Sequence, residues 1–186
     1  MAQVGVIGAG SWGIALAKVL HTNGNGVTVW SIVKEEIAML QEKHEHVDKL
    51  PGVALPEDMI FTTNLEEAIS GKKYLILAVP SVFTRSTAKS MAPYVKEGQV
   101  IVCVAKGIEE TTLMTLSDIV EEEIPMADVA VMCGPSHAEE VGVGLPTTVV
   151  AGAKKREVAE GIQDIFMNEV FRVYTSSDVL GMELGG

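Results

Sequence analysis

One stretch near the start of the chain, residues 4–13, restricts the fold more than any other. Residues 4–7 form an apolar run rich in β-branched side chains, which is typical of a buried strand. Gly8, Gly10 and Gly13 follow in the spacing Gly-x-Gly-x-x-Gly, and residues 14–20 are good helix formers. A strand, a glycine turn of this spacing and a helix, in this order, predict a site for a dinucleotide.

Each of the three glycines has a separate physical role in such a site. Gly8 allows the tight turn, Gly10 lets the backbone approach a pyrophosphate, and Gly13 lets the helix pack closely on the strand. The N–H groups at the helix start, at the positive end of its dipole, attract phosphates. Because the chain has 18 glycines in 186 residues, the spacing alone also fits a purely structural turn. The strand and helix beside it favour nucleotide binding.

The overall charge argues against a nucleic-acid partner. The formal net charge is −11 at pH 7, whereas a protein that binds nucleic acid needs a basic face. An anionic ligand must therefore be held by local groups, such as helix N-termini and single lysines. The apolar runs are far shorter than a membrane span, and the first residues lack the basic segment of a secretory signal. We interpret Cys103 and Cys133, which lie in strand-like runs, as reduced, buried thiols of a cytoplasmic protein.

Short apolar runs alternate with helical segments along the chain. This alternation predicts an α/β fold of the Rossmann type, a doubly wound and mainly parallel sheet with helices on both faces. The last two strands are expected to extend that sheet, so that residues 1–186 form one domain. Asn64 is expected to cap one helix, and Thr111 or Thr112 a later one. The predicted strands after the first are residues 27–30, 61–63, 74–79, 100–104, 129–133, 146–151 and 170–174.

The residues after the second strand leave the choice between NAD and NADP open. In such folds an acid at this point favours NAD, and a nearby arginine accommodates the additional phosphate of NADP. Here the chain continues with Ser31, Ile32 and Val33, so neither residue type is at the expected place. We interpret Glu35 and Glu36 as acids that favour the start of the next helix through its dipole.

Residues 41–56 have few periodic apolar positions, two prolines and a glycine, and predict a long surface connection. His44 and His46 lie within it, without a cysteine or carboxylate at the spacing that a metal site requires. We therefore interpret both histidines as solvated loop residues and predict no metal site.

Three features follow the later strands, at the sheet edge where such folds bind ligands. Phe83 is either a ring that faces the cofactor or part of a helix core. Lys106 comes directly after a buried strand and is interpreted as a cation facing the ligand, the alternative being a solvated strand end. Residues 134–136, Gly-Pro-Ser, are expected to open a helix whose N-terminus binds an anion, the alternative being an ordinary cap. For His137 we favour a positional role over proton transfer.

Several separate motifs in the right order make the chain resemble, almost end to end, the N-terminal domain of bacterial NAD(P)-dependent glycerol-3-phosphate dehydrogenases. The motifs that carry this resemblance are residues 8–13, 78–80, 105–109, 134–140, 171–174 and 183–186. The resemblance implies hydride transfer between sn-glycerol 3-phosphate and dihydroxyacetone phosphate, a step that supplies precursors of glycerophospholipids.

The resemblance also implies roles for individual residues. Positions that match cofactor contacts are Gly8, Gly10, Ser11, Trp12, Gly13, Val33, Phe83, Lys106 and Ala138. Positions that match substrate contacts are Lys106, Gly134 and Ser136. Lys106 is the catalytic candidate, because a cation near the reacting oxygen stabilises developing alkoxide charge. The implied cofactor is NAD or NADP, and the implied partner is a small phosphate substrate, with a homodimer left open.

Two departures from the family pattern matter. Many bacterial members carry a basic residue where this chain has Ile32 and Val33, which puts tight NADP recognition in doubt. The family also continues beyond the Glu-Leu-Gly-Gly of residues 183–186 into a helical domain. That domain begins with the lysine assigned as general base, so we expect residues 1–186 to be the cofactor-binding domain and to be inactive alone. The alternative functions are a non-catalytic nucleotide-sensing module and, less favoured, a methyltransferase.

Overall fold

The computed structural model describes residues 1–186, and strands alternate with helices through most of the chain. The eight strands are β1 Gln3–Ile7, β2 Gly26–Trp30, β3 Ile60–Thr62, β4 Tyr74–Leu77, β5 Val100–Cys103, β6 Asp128–Cys133, β7 Thr147–Ala153 and β8 Phe171–Ser176. The helices are α1 Ser11–Thr22, α2 Lys34–Lys43, α3 Leu65–Ile69, α4 Thr84–Met91, α5 Leu116–Glu123, α6 Ala138–Gly142, α7 Arg156–Phe166 and α8 Val179–Gly185. A short 3₁₀ turn, Ser81–Phe83, precedes α4.

All eight strands form one sheet in the order β3-β2-β1-β4-β5-β6-β7-β8. Neighbouring strands are parallel except β6 and β7, which are antiparallel. The chain runs outward from β1 to β3 on one side and then returns to place β4 on the other side of β1. This reversal of direction is the switch point at which open α/β sheets bind ligands. The prediction of a mainly parallel, Rossmann-type sheet that includes the two late strands is confirmed.

Helices cover both faces of the sheet, and each face has its own apolar core. Val4 and Val6 of β1 face the larger core, which α1, α2, α6 and α7 cover. Ile7 faces the smaller core, which contains residues of α3, α4 and α5. Because side chains alternate between the faces of a strand, the uninterrupted apolar runs seen in the sequence are those of strands covered on both sides.

The helix starts agree with the sequence in one case and differ in another. The Asn64 side chain caps α3 by accepting hydrogen bonds from the N–H groups of Glu66 and Glu67. The prediction that Thr111 or Thr112 caps the next long helix was wrong, because Thr115 caps α5. The Thr112 hydroxyl instead donates to Glu109 over 2.5 Å, within a turn closed by a bridge between Ile108 and Thr115.

The connection between α2 and β3 is not a surface loop throughout. Leu50, Val53 and Leu55 are buried in the larger core, and His46 is only 2% exposed. The interpretation of His46 as a solvated residue was therefore wrong. Cys103 is buried as predicted, whereas Cys133 is half-buried. No helix of the structure is long and apolar enough to span a membrane.

Candidate active site

A cleft of about 590 Å³ lies along the sheet edge formed by the carboxyl ends of β1, β2 and β4. The chain segments that follow these strands form its walls: residues 8–12 after β1, residues 31–33 after β2, and residues 78–80 after β4. Because parallel strands end at a common edge, segments that are far apart in sequence meet here. The cleft thus lies where the glycine turn predicted a dinucleotide.

The three glycines of the turn differ in what surrounds them. Gly8 has a φ of +119°, and a Cβ there would lie 2.7 Å from the Ala78 carbonyl oxygen. A Cβ on Gly13 would collide with the Gly8 carbonyl oxygen. Gly10 has an ordinary extended backbone, and a Cβ there would meet nothing within 4 Å. The fold itself therefore requires Gly8 and Gly13, whereas only a ligand in the cleft would require Gly10.

The N-terminus of α1 opens onto the empty space at Gly10. Gly10 is the N-cap, no side chain caps the first turn, and that turn has no acidic residue. The first N–H groups of this helix of 12 residues therefore point out of the helix with no side-chain acceptor. Open space in front of an uncapped helix N-terminus is the arrangement that binds a phosphate group.

A second, smaller cavity of about 230 Å³ adjoins the first, with Trp12 and Ala105 lining both. Lys106, Gly134 and Ser136 lie around it. Lys106 is exposed; its Nζ lies 3.4 Å from the Gly134 carbonyl oxygen and has no carboxylate partner. The lysine therefore presents an unneutralised positive charge to this cavity.

The segment after β6 differs from its prediction. The helix α6 begins at Ala138, with His137 as an N-cap that makes no side-chain bond. The Ser136 hydroxyl instead donates to the Gly134 carbonyl oxygen over 3.4 Å. Residues 134–136 therefore precede the helix and do not open it, and Ser136 is not a helix cap, which was the alternative, but part of the cavity wall. His137 is exposed and lines neither cavity.

The structure brings most of the predicted site residues together. The cleft is lined by Gly8, Gly10, Ser11, Trp12, Val33 and Phe83, and the smaller cavity by Trp12, Lys106, Gly134 and Ser136. Phe83 is 56% exposed, so its ring is part of the cleft wall and not of a helix core. Gly13 and Ala138 are buried and line neither cavity.

Sequence reasoning missed a polar cluster at the end of the cleft beside β2. Glu36, in the first turn of α2, accepts hydrogen bonds from the Ser31 hydroxyl, from His46 Nε2 over 2.9 Å and from Lys49 Nζ over 2.5 Å. Burial raises the pKa of Glu36, but the hydrogen bonds from Lys49, Ser31 and His46 outweigh burial and hold the pKa below its ordinary value. Glu36 lies some 20 residues beyond the glycine turn, and an acid at that spacing is the sequence signal that could have identified it as a site residue. Nothing in the sequence singled out Lys49.

The two cysteines have little nucleophilic character. Burial raises the pKa of Cys103. Burial also raises the pKa of Cys133, although the nearby charge of Lys106 acts in the opposite direction. Because the thiolate is the reactive form, neither thiol is activated at neutral pH. No group of three or more His, Cys, Asp or Glu side chains is arranged to hold a metal ion.

Comparison with known proteins gives a consistent result. A family model described as "NAD-dependent glycerol-3-phosphate dehydrogenase N-terminus" matches residues 3–159. The chain is 73% identical over 186 residues to a glycerol-3-phosphate dehydrogenase [NAD(P)+] of Agathobacter rectalis. This match covers all of the chain and 55% of the relative. It is 52% identical over 188 residues to the same enzyme of Fusobacterium nucleatum, of which it covers 56%.

Solved structures agree with this result. The crystal structure of a glycerol-3-phosphate dehydrogenase from Coxiella burnetii superimposes with a TM-score of 0.94 at 29% identity, over 100% of this chain and 57% of that one. The chain thus spans about half the length of the curated relatives that it matches.

Proposed function

Since the chain belongs to the NAD-dependent glycerol-3-phosphate dehydrogenase family, whose N-terminal region it matches, we propose that it is the cofactor-binding part of an oxidoreductase. The reaction is the interconversion of sn-glycerol 3-phosphate and dihydroxyacetone phosphate by hydride transfer. One observation carries the proposal: the open space at Gly10 lies before the uncapped N-terminus of α1, next to a cavity that contains the unpaired Lys106.

The residues of the cleft fit a dinucleotide. The space that a Cβ would occupy at Gly10 is open, so the pyrophosphate can approach the backbone of residues 10–12 and the N–H groups of α1. The Phe83 ring is exposed in the same cleft and offers an apolar surface for the nicotinamide. Val33 lines the cleft directly after β2 and would contact the adenosine ribose. When bound, the cofactor accepts or supplies the hydride.

Lys106 is the proposed catalytic residue in this part of the enzyme. Its ammonium group has no carboxylate partner, so its full charge is available to the oxygen on which negative charge develops during hydride transfer. A fixed charge at such a position stabilises the transition state more than the ground state. Gly134 and Ser136 line the same cavity and are the proposed substrate contacts. Because the chain carries a net charge of −11, its overall charge does not attract the substrate phosphate. Binding of that phosphate therefore depends on such local groups.

The rest of the active site is assigned to the part of the relatives that this chain does not span. Within residues 1–186 the smaller cavity contains no carboxylate or histidine that could accept the substrate proton. We therefore assign residues 1–186 to the dinucleotide-binding domain, and the general base and further phosphate contacts to a second domain. The two free thiols support a cytoplasmic location.

A non-catalytic sensor of dinucleotides is the alternative function. A sensor requires the cleft but no cation on the substrate side, so the unpaired Lys106 favours the enzyme. A methyltransferase is disfavoured because the family match is to dehydrogenases.

Titration of the purified chain with NADH, NADPH and S-adenosylmethionine tests the proposal. Trp12 and Trp30 line the cleft, so binding is expected to quench their fluorescence. We expect saturable quenching by NADH, and none by S-adenosylmethionine. If neither NADH nor NADPH binds, the proposed function is wrong.

A further inference from the structure

The end of the cleft beside β2 contains one carboxylate, that of Glu36, and one ammonium group, that of Lys49. The two groups form a hydrogen-bonded ion pair. Glu36 is 8% exposed and still lines the cleft. The Lys49 side chain is 51% exposed, and its Nζ lies 2.5 Å from Glu36 Oε1. Lys49 is the only lysine or arginine that lines this cleft. A second anion entering there would therefore find no cation that is not already paired.

The surroundings hold Glu36 in one position. Ser31, the residue directly after β2, donates its hydroxyl to Glu36 Oε2 and accepts the N–H of Val33 over 3.2 Å. His46 Nε2 lies 2.9 Å from Glu36 Oε1, and His46 Nδ1 accepts the N–H of Lys49 over 3.3 Å. Because that Nδ1 is an acceptor, Nε2 carries the proton in a neutral ring and donates it to Glu36. Three donors from two chain segments, the end of β2 and the connection between α2 and β3, thus fix the carboxylate.

The carboxylate retains capacity for one further donor. An ionised carboxyl group has about four acceptor positions, and three are occupied. The neighbouring cleft residues Ile32 and Val33 have apolar side chains and offer no competing group. A hydroxyl group of a ligand can fill the fourth position, whereas a phosphate group, which only accepts at neutral pH, would face a carboxylate.

We propose that Glu36 is the residue that determines cofactor choice: its carboxylate accepts the 2′-hydroxyl of the adenosine ribose of NAD(H) and excludes the 2′-phosphate of NADP(H). Ser31, His46 and Lys49 are positioning residues that hold the carboxylate at the edge of the cleft. This inference rests on the proposed function, because it requires a dinucleotide in the cleft.

The alternative, in which Lys49 turns to bind the 2′-phosphate, is disfavoured by the burial of Glu36. Moving Lys49 away would leave a buried carboxylate without its cation and beside a second anion. Removing one partner of a buried ion pair is strongly destabilising because the remaining charge is uncompensated. The pair therefore favours the uncharged ribose hydroxyl of NAD(H).

The experiment compares the dissociation constants of NADH and NADPH for the 186-residue chain and three variants, by tryptophan quenching. For the unaltered chain we expect NADH to bind at least about 10-fold more tightly than NADPH. Glu36→Gln removes the negative charge and frees Lys49, so the ratio of the two constants should fall by about 10-fold or more. Glu35→Gln is the matched control, because Glu35 is exposed in the same helical turn, and should leave the ratio unchanged.

Lys49→Met is the second test if Glu36→Gln does not fold, because it keeps the carboxylate and removes one of its three donors. It should weaken the binding of NADH as well as that of NADPH, by about 3-fold or more. Weaker binding of NADPH alone would show that Lys49 binds the 2′-phosphate and would overturn the assignment of Glu36. Thermal unfolding of each variant separates loss of fold from loss of affinity.

The outcomes distinguish this inference from the proposed function. Failure of the unaltered chain to bind either nucleotide overturns both. Binding of both nucleotides with equal affinity, tighter binding of NADPH, or an unchanged ratio in a folded Glu36→Gln variant overturns only the assignment of Glu36.

Discussion

At the scale of single residues, the glycine turn separates the requirements of the fold from those of the ligand. Gly8 needs a backbone conformation that side chains rarely adopt, and Gly13 lies against a carbonyl oxygen. Gly10 has neither constraint. Three glycines that look equivalent in the sequence therefore give different results when they are replaced.

We predict that Gly10→Val abolishes dinucleotide binding and preserves the fold. Valine fits the extended backbone and the open space at this position, at the cost of about 1 kcal/mol for a poorer N-cap. Its branched side chain would occupy the place of the pyrophosphate, so calorimetry should show at least a 100-fold weaker affinity for NADH (roughly 3 kcal/mol). Gly13→Ala should instead lower the thermal unfolding temperature, because its Cβ meets backbone. Unchanged affinity in Gly10→Val would move the cofactor site elsewhere.

We further predict that Lys106→Met lowers turnover by about 100-fold or more, because it removes the charge that stabilises the developing alkoxide. The assay requires a chain that includes the remaining length of the relatives. Lys106 is exposed and makes only one long contact, to Gly134, so the thermal unfolding temperature should not change. NADH affinity should fall much less than turnover, because Lys106 lines the smaller cavity and not the cleft that holds most of the proposed cofactor contacts. Near-normal turnover would reduce Lys106 to a solvated strand end.

Single residues also show why part of the site could not be predicted. The glycine turn and Lys106 each follow an apolar run directly, so the rule for parallel sheets placed them at one edge. Lys49 and His46 come from a connection with no periodicity, and Lys49 lies 13 positions after Glu36 in the sequence. Only the folded connection brings them together. Glu36 was therefore interpreted through the helix dipole alone.

At the scale of elements, one ion cluster joins the segment after Lys106 to two helices. Arg85 in α4 forms an ion pair with Glu109, with an N–O distance of 2.7 Å. It forms two more with Glu122 and Glu123 at the end of α5, at 2.6 Å each. Hydrogen bonds from Arg85 and Thr112, against a smaller effect of burial, lower the pKa of Glu109 from 4.5 to about 2. The cluster thereby fixes the turn that follows the proposed catalytic lysine.

The direction of that pKa shift predicts an acid-sensitive contact. A carboxyl group whose folded pKa is lowered stabilises the fold above its unfolded pKa, and this contribution disappears as the pH falls through the folded pKa. The stabilisation by Glu109 is thus complete above about pH 4.5 and is lost toward about pH 2. Arg85→Gln removes the ion pairs to Glu109, Glu122 and Glu123 and should lower the thermal unfolding temperature at pH 7 by a few degrees.

The matched control for Arg85→Gln is Arg156→Gln, which removes an exposed pair within α7 and should change the unfolding temperature by less than about 1 °C. The difference in thermal unfolding temperature between Arg85→Gln and the unaltered chain should become smaller as the pH falls from about 4.5 to 2. A constant difference over that range would show that Arg85 acts through packing and not through Glu109.

The periodicity of the sequence predicted the existence of strands and helices better than the direction in which neighbouring strands pair. Apolar runs identify buried strands but not their direction, so the antiparallel pairing of β7 with β6 was not predicted individually. Leu50, Val53 and Leu55 match neither the helical nor the strand period, and their burial in the larger core was missed. Pairing direction and irregular core segments depend on contacts between distant parts of the chain.

At the scale of the whole molecule, the chain has its own core but leaves one apolar surface uncovered. Every strand belongs to one sheet, and both faces of the sheet are buried. In α8, by contrast, Leu180 and Leu184 are 58% and 62% exposed, while Val179 and Met182 pack on the smaller core. We propose that the second domain covers these leucines, while the cofactor-binding fold is stable without it.

We predict that the 186-residue chain binds NAD(H) but does not oxidise glycerol 3-phosphate. Hydride transfer requires the substrate hydroxyl to be deprotonated and held against the nicotinamide in one geometry. Lys106 supplies a positive charge, but no carboxylate or histidine lines its cavity, and burial raises the pKa of the neighbouring Cys133. With saturating glycerol 3-phosphate and NAD, formation of reduced cofactor measured by absorbance should be at least 1,000-fold slower than with a full-length relative, roughly 4 kcal/mol in barrier. Turnover comparable to that relative would place the base within residues 1–186, and His137→Ala would then be the first variant to measure.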